Sequence, residues 1–355
     1  MKRIDDLRRK IDEIDERLVE LLNERAKLVK EVIEIKEKTK KPIFDPSREK
    51  KIIERLINKN KGILKPEDLK IFMESIFKIY RGMFKELKVA YLGPEGTFTH
   101  LAAMKKFGEK AKYIPTKTID EVFKEVEKSR SDYGVVPIEN SIEGIVTHTL
   151  DMFLESDLKV ISEISLEIHH YLLSKENSIN KIKKIYSHPH AIAQCRNWIG
   201  ENLPDVEIYE TESTISAVKK VIKEKNSSVI ASEIASSMYN LNIIAEKIED
   251  FRENITRFLV IGSEFAKKTG NDKTSILFSI KDRVGALHDI LSYFKKEKIN
   301  LTKIESRPSK KKAWEYVFFV DFIGHKDDVN VKRALKNVEK SSVFFKILGS
   351  YPKEE

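Results

Sequence analysis

Lys88-Val-Ala-Tyr-Leu-Gly-Pro-Glu-Gly-Thr-Phe-Thr-His100 divides this chain into two kinds of sequence. Its first five residues are a short apolar strand. Gly93-Pro-Glu-Gly96 is turn material, and residues 97–107 suit a helix. A strand passing through a glycine turn into a helix is the repeating unit of an α/β domain. Such a junction leaves amides and hydroxyls at the helix start, which suits an anion. Strand-like runs recur downstream at 133–137, 184–187, 206–209, 229–231 and 257–262, with helical stretches between most of them. Residues 88–265 therefore read as an α/β domain with largely parallel strands, in which a second lobe begins near 177–184.

Upstream, residues 1–87 read as an all-α unit. Ile4, Leu7, Ile11, Ile14, Leu18, Leu21, Leu28, Val32 and Ile35 form a heptad seam, the signature of a long helix packed on other helices. Pro42 and Pro46 end it. Pro46 also suits the first turn of a second helix capped by Asp45, running to about residue 59. A third helix is expected over 66–87. One long helix and two short ones are too thin to bury both faces, which predicts a homo-oligomer, dimer or tetramer, joined through the long helix. Residues 267–273 read as a linker. Residues 272–355 then follow the order β-α-β-β-α-β, the ferredoxin-like α+β unit.

Composition narrows the function classes. The chain has 355 residues, 41% of them hydrophobic, and a single cysteine, Cys195, which excludes an internal disulfide framework. No apolar run approaches the roughly 20 residues needed to span a bilayer, and the charged N-terminus is not a secretory signal. A cytoplasmic chain with no membrane partner is expected. Residues 1–88 hold 25 Lys and Arg against 18 Asp and Glu, so they carry +7 of the net +9. Acidic residues are interspersed throughout, which argues against nucleic acid and for small anionic ligands. No convincing metal-ligand spacing is present, and neither a metal nor a cofactor is expected. His188 and His190 suit a helix start. His169 and His170 suit opposite faces of a strand, and Cys195 a buried core position.

Arg25 occupies a seam position among Leu and Val, where a guanidinium needs a buried acid or a bound anion unless it reaches solvent. Lys36, 11 residues later, points within about 20° of it, about 16 Å away. Two long cationic side chains could hold a small polyanion from either end. Leu7-Arg-Arg-Lys-Ile-Asp-Glu-Ile-Asp15, Glu24-Arg25, Lys36 and Asp45-Pro-Ser-Arg-Glu49 resemble the all-helical chorismate mutases over about residues 4–60. The resemblance implies that Arg8, from a partner subunit, Arg25 and Arg48 hold the carboxylates of chorismate. It implies that Lys36 bonds the ether oxygen and that Asp45 and Glu49 sit near the hydroxyl. This rearrangement needs a held conformer and positive charge at the breaking C–O bond, not a nucleophile. The sequence departs from the family on the third helix, where a Gln or Glu is usual. Phe84, with Tyr80 before it, stands there on one count, and Met83 with Ile79 on the other, so the second ether-oxygen donor is missing.

In the α/β region, Gly93–His100, Val136-Pro-Ile-Glu-Asn-Ser-Ile-Glu-Gly144, Ser187-His-Pro-His-Ala-Ile-Ala-Gln-Cys195 and Asn254-Ile-Thr-Arg-Phe258 carry the chemistry. Asn140 and Ser141 follow a strand, where α/β sites tend to lie. These motifs are similar to the prephenate dehydratases across residues 88–265. That implies two lobes of the periplasmic-binding type with a cleft between them. Prephenate there loses its hydroxyl and its ring carboxylate, as CO₂. The similarity assigns proton delivery to Thr256 and substrate positioning to Thr97, Asn140, Ser141 and Arg257, while Phe258 packs. Glu139 is open between a structural and a catalytic role.

Gly285-Ala-Leu-His288 and Glu305-Ser-Arg-Pro308 resemble the ACT domains attached to those dehydratases, over about 273–350. This implies L-phenylalanine bound at Gly285, Ala286, Leu287, Glu305, Ser306, Arg307 and Pro308, shutting the dehydratase down. Gly285 is expected to let backbone approach the ligand closely. Three resemblances in this order are similar as a whole to the bifunctional chorismate mutase/prephenate dehydratases of phenylalanine biosynthesis. A dehydratase whose helical unit serves mainly in dimerisation, a ligand-binding regulator and a nucleic-acid-binding helical dimer remain alternatives.

Overall fold

A computed structural model describes residues 2–308 and 316–354. The N-terminal unit is three helices, α1 (Lys2–Lys38), α2 (Pro46–Lys59) and α3 (Pro66–Phe84). Asp45 caps α2 by accepting from the Arg48 amide at 2.9 Å, and Pro46 fills its first turn. Pro66 opens α3, which ends three residues before the expected limit. α1 turns Leu22, Ala26 and Val29 toward the core formed by Ile53, Met73, Ile76 and Phe77. This stripe lies beside the heptad seam, not on it. The seam itself is open: Ile4, Leu7, Ile14 and Leu21 are 53–60% exposed.

The first α/β lobe contains β1 (Lys88–Leu92), α4 (Phe98–Phe107), β2 (Lys112–Thr116), α5 (Ile119–Glu127), β3 (Tyr133–Asn140), β4 (Gly144–Ile145), α6 (Thr147–Glu155) and β5 (Lys159–Glu167). The second contains β6 (Tyr171–Ser174), β7 (Lys184–Ser187), α7 (Pro189–Gln194), α8 (Arg196–Asn202), β8 (Glu207–Glu210), α9 (Thr214–Lys223), β9 (Ser227–Ala231), α10 (Ile234–Tyr239) and β10 (Asn242–Ala245). The chain then returns to the first lobe as β11 (Ile255–Gly262). The sheets run β2-β1-β3-β11-β5 and β10-β6-β9-β7-β8.

Three expectations are corrected here. The strands are mixed in direction, because the returning β11 runs antiparallel to both β3 and β5, and β6 antiparallel to β9 and β10. The second lobe opens at β6, earlier than 177–184. His169 and His170 lie on no strand; they occupy the crossover between β5 and β6. That crossover is tied to the returning segment by Ile168 N to Asn254 O at 2.7 Å and Ile248 N to His170 O at 2.9 Å. Two chain passages joined this way connect the lobes.

The C-terminal module comprises β12 (Asp272–Ser279), α11 (Ala286–Lys296), β13 (Leu301–Pro308), β14 (Tyr316–Ile323), α12 (Val329–Ser341) and β15 (Phe344–Pro352). Its sheet order, β13-β14-β12-β15, is that of the expected ferredoxin-like unit. Both helices cover one face, with Ile290, Phe294, Val331 and Leu335 in the core between. The opposite face joins the first lobe in one core, where Leu277, Phe319 and Tyr351 meet Phe153, Val160 and Ile261. The approach is close: a Cβ added to Gly349 would collide with the carbonyl oxygen of Val160.

Candidate active sites

Thr256 and Asn140 face each other across the β11–β3 ladder, and Arg257 opposes Glu139 at the next step. Asn140 Nδ2 donates to Thr256 Oγ1 at 2.8 Å and to Asn254 Oδ1 at 2.6 Å. Its Oδ1 accepts from the amides of Ile142 and Glu143, both at 2.9 Å. Both ends of the Asn140 amide are therefore fixed. Because Thr256 oxygen accepts from Asn140, its own proton is left to donate elsewhere. Ser141 latches the ladder: its hydroxyl donates to Glu253 O at 3.0 Å and accepts from the Ile255 amide at 2.9 Å. Thr97 caps α4, and its hydroxyl donates to Pro94 O at 2.9 Å. That turn meets the second lobe through Ser232 Oγ, which donates to Gly96 O at 2.7 Å.

Arg257 sits elsewhere. Neighbouring strand residues point to opposite faces, and its guanidinium turns from Thr256 toward the C-terminal module. It donates to Glu139 at 2.9 Å, Glu163 at 2.9 Å, Asp321 at 2.6 Å and the Tyr351 hydroxyl at 3.1 Å. Glu139 is held below the usual carboxylate range by Lys303 and Arg257, against the opposing effect of burial.

Sequence reasoning gave no site role to Gln194, Asn254, Glu143 or His170. Gln194, at the end of α7, donates to Glu143 Oε1 at 2.8 Å, and its Oε1 accepts from Asn254 Nδ2 at 3.1 Å. His170 Nε2 lies 2.7 Å from the same oxygen, and burial pulls its pKa down. These contacts carry the second lobe to within two side chains of Thr256. The signal was present: Gln194 and Asn254 lie inside motifs already quoted, one near the end and one at the start. Cys195 is fully buried and burial pushes its thiol pKa up, so it stays a protonated core residue. His188 caps α7, accepting from the His190 amide at 3.3 Å.

On the helical unit, Arg25 stacks over Tyr80, 4.9 Å from the ring centre, and Phe77, at 5.3 Å. Its Nη1 is buried with no hydrogen-bond partner among the described residues. A half-buried guanidinium with one buried, open donor could accept an anion. Tyr80 is spent on Leu22 O at 2.6 Å, and Phe84 packs in the same core, whereas Met83 and Ile79 are about half exposed. The first of the two counts thus faces the helical core. Lys36 donates to Ile43 O at 3.0 Å at the wall of a cavity of about 620 Å³ that Asp45, Tyr133 and Lys267 also line. Burial lowers its pKa, opposed by Asp45. Glu49 is ion-paired to the buried Arg81, which stacks on Phe44 and donates to Lys106 O at 3.1 Å. Arg48 is exposed. Arg8 is 75% exposed on the open end of α1, near Asp5 alone among the described acids.

On the C-terminal module, Gly285 has φ +79° and nothing within 4 Å of an added Cβ. The left-handed backbone accounts for the glycine, and open space lies where a side chain would stand. Ala286 is buried at the start of α11, and Leu287 packs against the module core. Along β13, residues 303, 305 and 307 alternate with the more exposed Ile304, Ser306 and Pro308. Arg307 reaches Asp151 on α6 at 3.4 Å. Among the described residues no group of His, Cys, Asp or Glu is arranged to hold a metal, and no helix is long and apolar enough to cross a membrane.

Comparison with known proteins matches three family models in order: chorismate mutase type II over residues 7–87, prephenate dehydratase over 89–266 and ACT domain over 274–340. The chain is 51% identical to the bifunctional chorismate mutase/prephenate dehydratase of Aquifex aeolicus, covering 99% of each. It is 42% identical to the prephenate dehydratase of Methanocaldococcus jannaschii, over 74% of this chain and 97% of that one. Among solved structures it resembles the prephenate dehydratase of Arthrobacter aurescens in complex with L-Phe, with TM-score 0.69 and 34% identity over 75% of this chain and 90% of that one. The chain belongs to the bifunctional chorismate mutase/prephenate dehydratase family.

Proposed function

We propose that residues 1–87 rearrange chorismate, residues 88–265 convert the resulting prephenate to phenylpyruvate, and residues 272–355 bind L-phenylalanine and restrain the second step. The observation that carries the reading is the Asn140–Thr256 hydrogen bond, in which the Thr256 oxygen accepts from Asn140 Nδ2 and so keeps its own proton to donate to another acceptor. Thr256 hydrogen-bonds the departing ring oxygen and passes it a proton as the C–O bond breaks. The bond from ring to carboxylate breaks in the same process, and its electron pair completes the aromatic ring. Water and CO₂ leave. A free threonine hydroxyl is a very weak acid, so it works within a relay and is reprotonated from the cleft. Asn140 holds Thr256, while Ser141 and Thr97 shape the cleft from the backbone. Arg257 anchors the strand and does not hold substrate.

In the helical unit Arg25, its free Nη1 and Lys36 bind the substrate's negative charge, and Lys36 also faces the ether oxygen. Asp45 and Glu49 lie near its hydroxyl end. Arg48, and Arg8 from a second copy, complete the cation set once the α1 seam pairs. Phe84 favours a second reading, a slow mutase whose helices serve mainly to join subunits, because no amide or carboxylate stands at that turn of α3. A coupled assay separates the readings. Chorismate is supplied, and prephenate and phenylpyruvate are followed separately, with and without phenylalanine. Both products in succession, with phenylpyruvate suppressed by phenylalanine, are expected. Phenylpyruvate from added prephenate but none from chorismate would leave the second reading.

A further inference from the structure

The residues that hold Thr256 are backed, on the other face of the same ladder step, by a charge network belonging to the C-terminal module. Arg257 follows Thr256 and Glu139 precedes Asn140, and the two pairs are consecutive in the β11–β3 register. The ladder slips between Arg257 and Phe258, the kind of irregularity that re-aims side chains beside active sites. Arg257 meets Asp321 of β14 at 2.6 Å and Tyr351 of β15 at 3.1 Å. Glu139 is ion-paired to Lys303 of β13, and Glu163 accepts from Lys273 of β12 at 2.8 Å. All four strands of the module thus contribute. Three cations face three carboxylates, and Asp321 is fully buried. Such a cluster is tolerated only while every charge stays paired, so its members must move together.

We propose that Lys303 and Asp321 are positioning residues for the dehydration: through Glu139 and Arg257 they set the Thr256–Asn140 step, and the module controls the reaction by moving them. This rests on the dehydratase reading above. Lys303 lies two residues before Glu305 on the same face of β13. A ligand at residues 305–308 that shifts this strand pulls Glu139 with it, and Asn140 is the next residue. The coupling is short and passes through named ion pairs, not through a general loosening.

The test uses the full chain with Lys303→Met and Asp321→Asn, the second nearly isosteric. Kinetics with prephenate are measured without and with saturating phenylalanine, phenylalanine binding by calorimetry, and melting by circular dichroism. Without phenylalanine, each variant is expected to lose about tenfold in kcat, with KM for prephenate nearly unchanged. Lys303→Arg restores kcat. With phenylalanine bound as tightly as in the parent, the residual inhibition is expected to fall by about fivefold or more. Unchanged kcat in both variants, whatever happens to the melting temperature, would overturn the proposal and leave the network as a structural clasp. A parent enzyme that phenylalanine fails to inhibit would remove the regulatory reading, while the phenylalanine-free kcat still decides the positioning role.

Discussion

The two candidate sites are built on different terms. The Thr256 site is held within one chain: Asn140, Asn254 and Gln194 hold one another at 2.6–3.1 Å, Ser141 ties the backbone of Glu253 and Ile255 beside them, and both lobes contribute. On the reading proposed above, the helical site is completed by a second copy. Arg25 keeps a buried donor unpartnered, Arg8 stands in open water, and a stripe of Ile and Leu along α1 is more than half exposed. On that reading, a site that needs a poised proton is assembled from a hydrogen-bonded ladder, and one that needs a ring of cations is shared between two copies.

Predictions that sharpen this contrast run from large to small. Lys36→Ala should lower mutase kcat by about 10²–10³ and leave dehydratase turnover within about twofold, because the two sites share no residue. Parallel assays with chorismate and prephenate check it. Ile14→Glu should place a charge on the open seam. Sedimentation should then show smaller species, with mutase activity down about 10² while dehydratase changes little; equal losses in both would mean that the dehydratase cleft also needs the partner. Gly349→Ala should destabilise the join between module and first lobe by about 1–3 kcal/mol, seen as a lower melting temperature, since the Val160 backbone cannot yield as a side chain would. The smallest effect is in the pH profile. Burial holds the Lys36 pKa below its ordinary value of 10.5, and only its protonated form attracts the ether oxygen. Mutase activity should therefore fall as pH rises through a midpoint below 10.5, and a profile flat to that value would contradict the assignment.

Much of this was legible in the residues. Pro42, Pro46 and Asp45 mark a helix end and a helix start by excluding a hydrogen bond and supplying a cap. The strand–turn–helix at 88–100 and the β-α-β-β-α-β order match β1, α4 and the C-terminal module, whereas β2, β5, β6 and β10 were not read. What the residues hid were choices settled by tertiary partners. α1 carries two adjacent apolar stripes, and periodicity alone does not tell which one packs inside the chain. Strand alternation places Arg257 opposite Thr256 but not against Asp321, 64 residues away. The crossover at 168–170 escaped because its hydrogen bonds run to 248–254, so no local pattern marks the break. The role of Gln194 depends on the second lobe folding over the first.

The most direct test is Thr256→Val, which keeps shape and removes the hydroxyl. Chorismate is supplied to the full chain, and prephenate and phenylpyruvate are quantified over time. Prephenate is expected to accumulate at the parent rate, with phenylpyruvate slowed by about 10²–10⁴. Phenylpyruvate formed at the parent rate would show that the proton comes from elsewhere and that the cleft has been misassigned.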